Sequence, residues 1–134
     1  MSKSLELVRS MYAAFATGDL PAFLALLDPR IRWNEAEGFP YSDRNPYVGP
    51  EAVVEGVFAR LASDWDGFRV EVGEIVGGPD VVTMLGRYRA RTKATGKELD
   101  VQCSHTWWVR DGKAVRFQQM VDTAGVVRAL GRAS

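Results

Sequence analysis

Apolar residues recur along this chain with two different periods. From Leu5 to Phe15, the positions Leu5, Val8, Met11, Tyr12 and Phe15 fall at three- and four-residue steps, the spacing of one helical face. Ser4 can accept the first free backbone N–H groups and Gly18 can end the helix, which predicts a helix over 4–17. Asp19 then caps a shorter one, with Pro21 in its first turn and Leu20, Phe23, Leu24 and Leu27 on one side, ending at Asp28–Pro29. Ile31, Trp33 and Glu35 alternate with Arg32 and Asn34, a strand. A loop rich in Gly, Pro, Asn and Asp follows from Ala36 to Val48 and carries Phe39, Tyr41 and Tyr47. Gly49–Pro50 opens a third helix through Ala62, with Val53, Val54, Val57, Phe58 and Leu61 on one side.

From Gly67 the period is two. Phe68, Val70 and Val72 lead to a turn at 77–80. Val82, Met84, Gly86, Tyr88 and Ala90 lead to a turn at 94–97. Val101, Cys103, His105, Trp107 and Val109 lead to the Asp111–Gly112 hairpin, and AVRFQQMV completes the meander. Asp122 or Thr123 caps a last helix through Leu130. Helices first and strands in succession define an α+β fold, with helices on one face of a curved antiparallel sheet. Nothing repeats and no composition break marks a linker, so residues 1–134 read as one domain.

Charges assign the faces. Arg87, Arg89 and Arg91 share one side of their strand, so Met84, Gly86 and Tyr88 turn toward the helices. Arg110 marks the outer side of the next strand, leaving Cys103, His105 and Trp107 inside. Arg116 and Gln118 are outer in the last strand, which puts Val115, Phe117, Gln119 and Val121 inside. Ile31 and Trp33 carry Glu35 inward with them. Glu35, His105 and Gln119 are thus three polar groups on an otherwise aromatic and aliphatic surface. A buried unpaired carboxylate costs several kcal/mol. Polar groups converging among Trp33, Tyr88, Trp107 and Phe117 therefore describe a pocket better than a packed core.

Composition narrows what the pocket can hold. Seventeen basic residues balance seventeen acidic ones, which leaves no electrostatic footprint for nucleic acid or an anionic membrane. The single Cys103, inside a strand, reads as a buried filler, and no cysteine or histidine cluster implies a metal. No apolar run reaches the ~20 residues of a membrane span, and MSKSLELVR lacks a signal-peptide core, so a cytoplasmic protein is expected. At 134 residues the chain buries enough surface to fold without staples.

Within that pocket Glu35 and His105 are expected to form an acid/base pair, because apolar surroundings raise a carboxyl pKa and an adjacent imidazole can share its proton. Tyr12 and Tyr88 are expected as hydroxyl donors to a developing enolate oxygen. Tyr41 and Tyr47 are placed at the pocket mouth. Asp122 reads as a helix cap or an additional acid. The matching substrate is a small apolar carbonyl compound, with no metal or organic cofactor. Two other readings stay open: a binder of an apolar ligand without chemistry, and a dimerising module with a vestigial pocket.

The element order, together with Trp33-x-Glu35, Gly38-Phe39-Pro40-Tyr41, Tyr47-Val48-Gly49-Pro50-Glu51-Ala52, Trp65-Asp66-Gly67-Phe68, His105-x-Trp107, Arg110-Asp111-Gly112-Lys113, Gln119 and Asp122-Thr123-Ala124, resembles the SnoaL-like (polyketide cyclase-like, ketosteroid isomerase-like) branch of the nuclear-transport-factor-2-like superfamily over residues 3 to 131. The resemblance implies a cone in which a strongly curved sheet wraps against helices around a deep apolar pocket. It also implies a homodimer through the outer sheet face, which would bury Thr106, Trp108, Gln118 and Met120. Enzymes of this type use a pocket carboxylate to abstract a proton next to a carbonyl, or to activate water or an epoxide. The family hosts many chemistries. Here the inner positions of the His105 strand carry no acid, Gln119 stands where cyclases of the family carry one, and no inward arginine suggests an epoxide-hydrolase relay.

Overall fold

The computed structural model describes residues 2–131; Met1 and residues 132–134, the ends of the expected domain, lie outside the described residues. Helix α1 (Lys3–Ala16) is capped by Ser2, whose hydroxyl accepts the Leu5 N–H at 3.1 Å. Ser4, the expected cap, lies inside the first turn, and its hydroxyl donates instead to the Pro79 carbonyl on a distant turn. Asp19 caps α2 (Leu20–Ala25) through the Ala22 N–H. That helix stops short of Leu27, because Leu27 already begins β1 (Leu27–Asn34). Asp28–Pro29 therefore sits in a strand rather than ending a helix. Proline is tolerated there because the β1 register is irregular between Leu27 and Arg32.

The loop after β1 is more ordered than its composition suggests. It holds a 3₁₀ turn (Pro40–Arg44) and β2 (Tyr47–Val48), which pairs with β1 through Trp33 and Tyr47. The third helix runs two residues beyond Ala62 and changes pitch on the way. It is built from α3 (Pro50–Val53), a π-helical turn (Val54–Phe58) and α4 (Ala59–Asp64). Then come β3 (Trp65–Gly77), β4 (Val81–Thr92), β5 (Glu98–Arg110), β6 (Lys113–Val121) and α5 (Thr123–Ala129).

The strands form one open, curved six-stranded sheet in the order β2-β1-β6-β5-β4-β3. The α+β class and the antiparallel meander are as the pattern predicts. The addition is that β1 lies parallel to β6, with Trp33 beside Phe117 and Asn34 beside Gln118. The inward parity holds for Met84, Tyr88, Cys103, His105, Trp107, Phe117 and Gln119, all buried. It fails at Val115. Trp108 faces Arg116 while Val109 faces Ala114, so an extra residue bulges β6 and Ala114 takes the buried place. Among the described residues no helix is long and apolar enough to cross a membrane.

Candidate functional site

Under the helices, the concave sheet face encloses a cavity of about 40 Å³. Its walls are mostly aromatic. Trp33 and Phe117 lie with ring centroids 3.9 Å apart, Trp107 and Phe117 at 4.6 Å, and Phe23 meets Trp107 edge-on at 6.2 Å. The polar residues at its surface are Tyr12, Glu35, Tyr88, His105 and Gln119. The space suffices for a few waters, far below the ~300 Å³ of a drug-sized site. Phe15, Phe58, Leu61 and Phe68 line both the cavity and an open surface hollow reaching Trp65 and Lys93. Those four side chains are the wall between the two.

Glu35 lies one residue past the end of β1 and is 2 % exposed. Two side-chain amides hold its backbone where the ladder has stopped. Asn45 accepts the Glu35 N–H at 2.9 Å and donates to the Glu35 carbonyl at 2.8 Å. Gln119 accepts the Ala36 N–H at 3.1 Å. The carboxyl accepts the Trp33 indole N–H at 3.2 Å. Burial pushes its pKa up to about 8, against the lowering effects of the Trp33 hydrogen bond and the Arg60 charge.

His105, 6 % exposed, is held from both sides by tyrosines. Its Nδ1 shares a 2.7 Å hydrogen bond with the Tyr12 hydroxyl, and its Nε2 shares a short one with the Tyr88 hydroxyl. The Trp107 indole donates to the Tyr12 oxygen at 2.9 Å and the Gln119 amide donates to the Tyr88 oxygen at 2.9 Å. Burial drives the imidazole pKa down to about 3, so the ring is neutral at ordinary pH. Burial also raises both tyrosines well above their usual range.

Glu35 and His105 thus share one cavity without forming the expected hydrogen-bonded pair. The register gives the reason. Asn34 is level with Gln118, so Glu35 is level with Gln119, and Gln119 faces His105. The two groups are two strand spacings apart, roughly 10 Å, with the Gln119 amide between them. Tyr12, Trp33, Tyr88, Trp107, Phe117 and Gln119 line the cavity as expected. Tyr41 and Tyr47 do not guard its mouth. Both are buried behind the third helix, where the Tyr41 hydroxyl donates to Asp64 at 2.6 Å, and Arg60 donates to the Tyr47 oxygen at 2.6 Å while bridging to Asp43. Asp122 is a helix cap, accepting the Gly125 N–H at 3.1 Å. Among the described residues no three His, Cys, Asp or Glu side chains are grouped to hold a metal. Sequence reasoning missed Asn45, whose place in a Gly/Pro-rich loop gave no sign of its hold on Glu35, and the place of Phe15, Phe58 and Phe68 in the cavity wall.

A curved open sheet closed by helices over an apolar cavity is the architecture of the NTF2-like proteins. Residues 8–117 match the model of the SnoaL-like domain, and the chain belongs to that family. An NTF2-like protein from Burkholderia thailandensis is similar over 97 % of this chain and 98 % of its own, at 34 % identity and a TM-score of 0.91. An NTF2-like protein of unknown function from Burkholderia pseudomallei is 28 % identical over the same shares, with a TM-score of 0.88. A protein with a ketosteroid isomerase-like fold from Catenulispora acidiphila shares the fold at 17 % identity, covering 96 % of this chain and 94 % of that one, with a TM-score of 0.78. No curated protein matches.

Proposed function

We propose that the cavity takes a small, neutral, apolar molecule bearing a carbonyl, and that Glu35 moves a proton at the carbon next to it, as a cofactor-independent isomerase or cyclase does. The observation that carries this reading is Glu35 itself, a carboxyl buried in aromatic walls with a pKa of about 8. A general base works best with a pKa near the working pH, and here a useful fraction is ionised at neutrality. A carboxyl with a purely structural role would be held ionised by a cation or by several N–H donors. Glu35 has one indole N–H. The hydroxyl of Tyr12 or of Tyr88, whichever does not donate to His105, supplies a donor for the oxygen that gains charge as the proton leaves. His105, neutral and committed to those hydroxyls, orients them rather than sharing the proton of Glu35.

Cyclohexanone in D₂O tests the reading. The protein is expected to accelerate exchange of the protons next to the carbonyl, with a rate that rises with pH and levels off above about pH 8. Glu35→Gln should lower that rate roughly 10²-fold or more while leaving the ligand-induced shifts of the Trp33 and Trp107 indole N–H signals in place. Shifts without accelerated exchange would replace this reading with that of a binder. Neither shifts nor exchange at millimolar cyclohexanone would sink both. We also propose that the outer sheet face pairs two copies of the chain.

A further inference from the structure

The nitrogen and oxygen hydrogen bonds around His105 leave one proton over. Trp107 Nε1 is a donor only. Gln119 is fixed as a donor toward Tyr88, because its carbonyl oxygen already accepts the Ala36 N–H. Between those two fixed donors stand the Tyr12 hydroxyl, the imidazole and the Tyr88 hydroxyl, which carry three protons when the ring is neutral. They are joined by two hydrogen bonds, Tyr12 to Nδ1 and Tyr88 to Nε2. One proton is therefore left over, and the protein group that meets either hydroxyl beyond these is the Cys103 thiol at Tyr88, a weak acceptor. If Nε2 is protonated it donates to Tyr88, Tyr12 donates to Nδ1, and the spare hydroxyl proton is on Tyr88. If Nδ1 is protonated it donates to Tyr12, Tyr88 donates to Nε2, and the spare proton is on Tyr12. Either hydroxyl belongs to a residue lining the cavity.

The two states cannot interchange inside the protein alone. Moving both shared protons by one place would leave a phenolate at Tyr12 and a doubly protonated oxygen at Tyr88. Burial of both rings opposes such charges. The exchange is neutral only when the cavity occupant completes the circuit.

We propose that Tyr12, His105 and Tyr88 form a tautomeric relay that gives a proton to one oxygen of a bound molecule while taking a proton from another. In one direction the Tyr88 O–H bond breaks as a bond forms to the carbonyl oxygen of the occupant. The Nε2 proton passes to Tyr88 and the Tyr12 proton passes to Nδ1. The hydroxyl proton of the occupant passes to Tyr12. Each donor atom keeps the electron pair of the bond it loses and each acceptor spends a lone pair on the bond it gains. Within the occupant the π electrons shift from C=C–OH toward the new carbonyl. No group ends charged, and the network finishes in its other tautomer. Water in the emptied cavity, which also donates and accepts, returns it. The relay rests on the reading that the cavity holds a neutral carbonyl compound, and it sharpens the substrate class: a molecule presenting both a carbonyl and an enolic or phenolic hydroxyl, set to reach two tyrosine oxygens that are separated by an imidazole and the hydrogen bond on each side of it.

Because His105 is the only histidine, ¹⁵N NMR of histidine-labelled protein reports the relay without ambiguity. Protonated and bare ring nitrogens resonate far apart. In the wild type, with water in the cavity, both nitrogens are expected at intermediate positions, as exchange between the tautomers requires. Tyr12→Phe should move the ring to the Nε2–H form, and Tyr88→Phe should move it the opposite way, to Nδ1–H. The wild-type spectrum decides even if a variant does not fold. A single fixed tautomer there overturns the relay. A fixed Nε2–H form would mean that the spare proton rests on the Cys103 thiol, a weak acceptor that also meets the Tyr88 hydroxyl. Two protonated nitrogens at neutral pH would overturn it as well. Failure of the cyclohexanone proton exchange with both tautomers still present would reject proton abstraction by Glu35 and leave the relay standing.

Discussion

At Glu35 folding raises the proton affinity of a carboxyl from 4.5 to about 8, and at His105 it lowers that of an imidazole from 6.5 to about 3. The two shifts act on stability in opposite senses. Between pH 3 and 6.5 the unfolded chain binds a proton at His105 that the folded chain refuses, so acidification favours unfolding. Between pH 4.5 and 8 the folded chain holds a proton at Glu35 that the unfolded chain has released, so rising pH favours unfolding. From pH 4.5 to 6.5 the slopes cancel. Above 6.5 only the Glu35 slope remains, about 1.4 kcal/mol per pH unit, or about 2 kcal/mol lost by pH 8. Urea melts at pH 6.5 and 8 should show that loss in the wild type and not in Glu35→Gln; an equal fall in both would mean that Glu35 is not the group releasing the proton. The inward aim of both residues was legible in the sequence, because Ile31 and Trp33 fix the parity of one and Cys103 and Trp107 that of the other. Their partners were not. Which hydroxyls meet His105 depends on α1 and β4 arriving at β5, and the spacing between Glu35 and His105 depends on β6 lying between β1 and β5. No local pattern encodes either.

Among the elements, the third helix shows most clearly how a periodic pattern can be right about a helix and silent about its shape. Val53, Val57 and Leu61 mark its buried face correctly. The π-helical turn at Val54–Phe58 leaves no trace in that pattern, because its cause is tertiary. Gly56 lies within the turn and is pressed against Tyr47. A Cβ at that position would fall 2.1 Å from the Tyr47 ring carbon Cε1. The Tyr47 hydroxyl donates to the Tyr41 carbonyl at 2.5 Å and accepts from Arg60, and Arg60 Nε donates to the Gly56 carbonyl at 2.5 Å. The missing side chain thus lets the 36–48 loop seat on the helix, and that loop carries Asn45 to the Glu35 backbone. Gly56→Ala ought to help an exposed helix by about 1 kcal/mol. Here overpacking should win, with a cost of about 1–3 kcal/mol and a fall in Tm by several degrees on thermal melting. A variant as stable as the wild type would show that Tyr47 moves without cost and that the loop is not clamped through Gly56.

On the scale of the whole molecule, the meander turns were legible, but the parallel pairing of β1 with β6 joins segments roughly eighty residues apart and has no turn to announce it. Charge divides the outer sheet face in two. Toward one end, Arg87 pairs with Asp100, Arg89 with the half-buried Glu71 and Arg91 with Glu98. Toward the other, the strand registers align Leu85, Ser104 and Met120 in one row, Thr83, Thr106 and Gln118 in the next, and Val81, Trp108 and Arg116 in a third. Among these β4, β5 and β6 positions Arg116 is the one charge, and it lies over the Trp108 ring at 4.2 Å; Glu74 of β3 extends the first row and Arg32 of β1 the third. Met120 is 57 % exposed and Leu85 45 %, in a patch of the kind that marks an interface. A two-fold contact repeats each interaction, so one added charge acts twice. If the less charged half forms the dimer, light scattering should give the wild type twice the 14.8 kDa mass of the chain. Met120→Glu should give a single copy, and Arg91→Glu in the charged half should leave the mass unchanged. Dissociation by Arg91→Glu alone would place the interface over the ion pairs instead. A monomeric wild type at micromolar concentration would leave Met120 and Leu85 exposed for another reason.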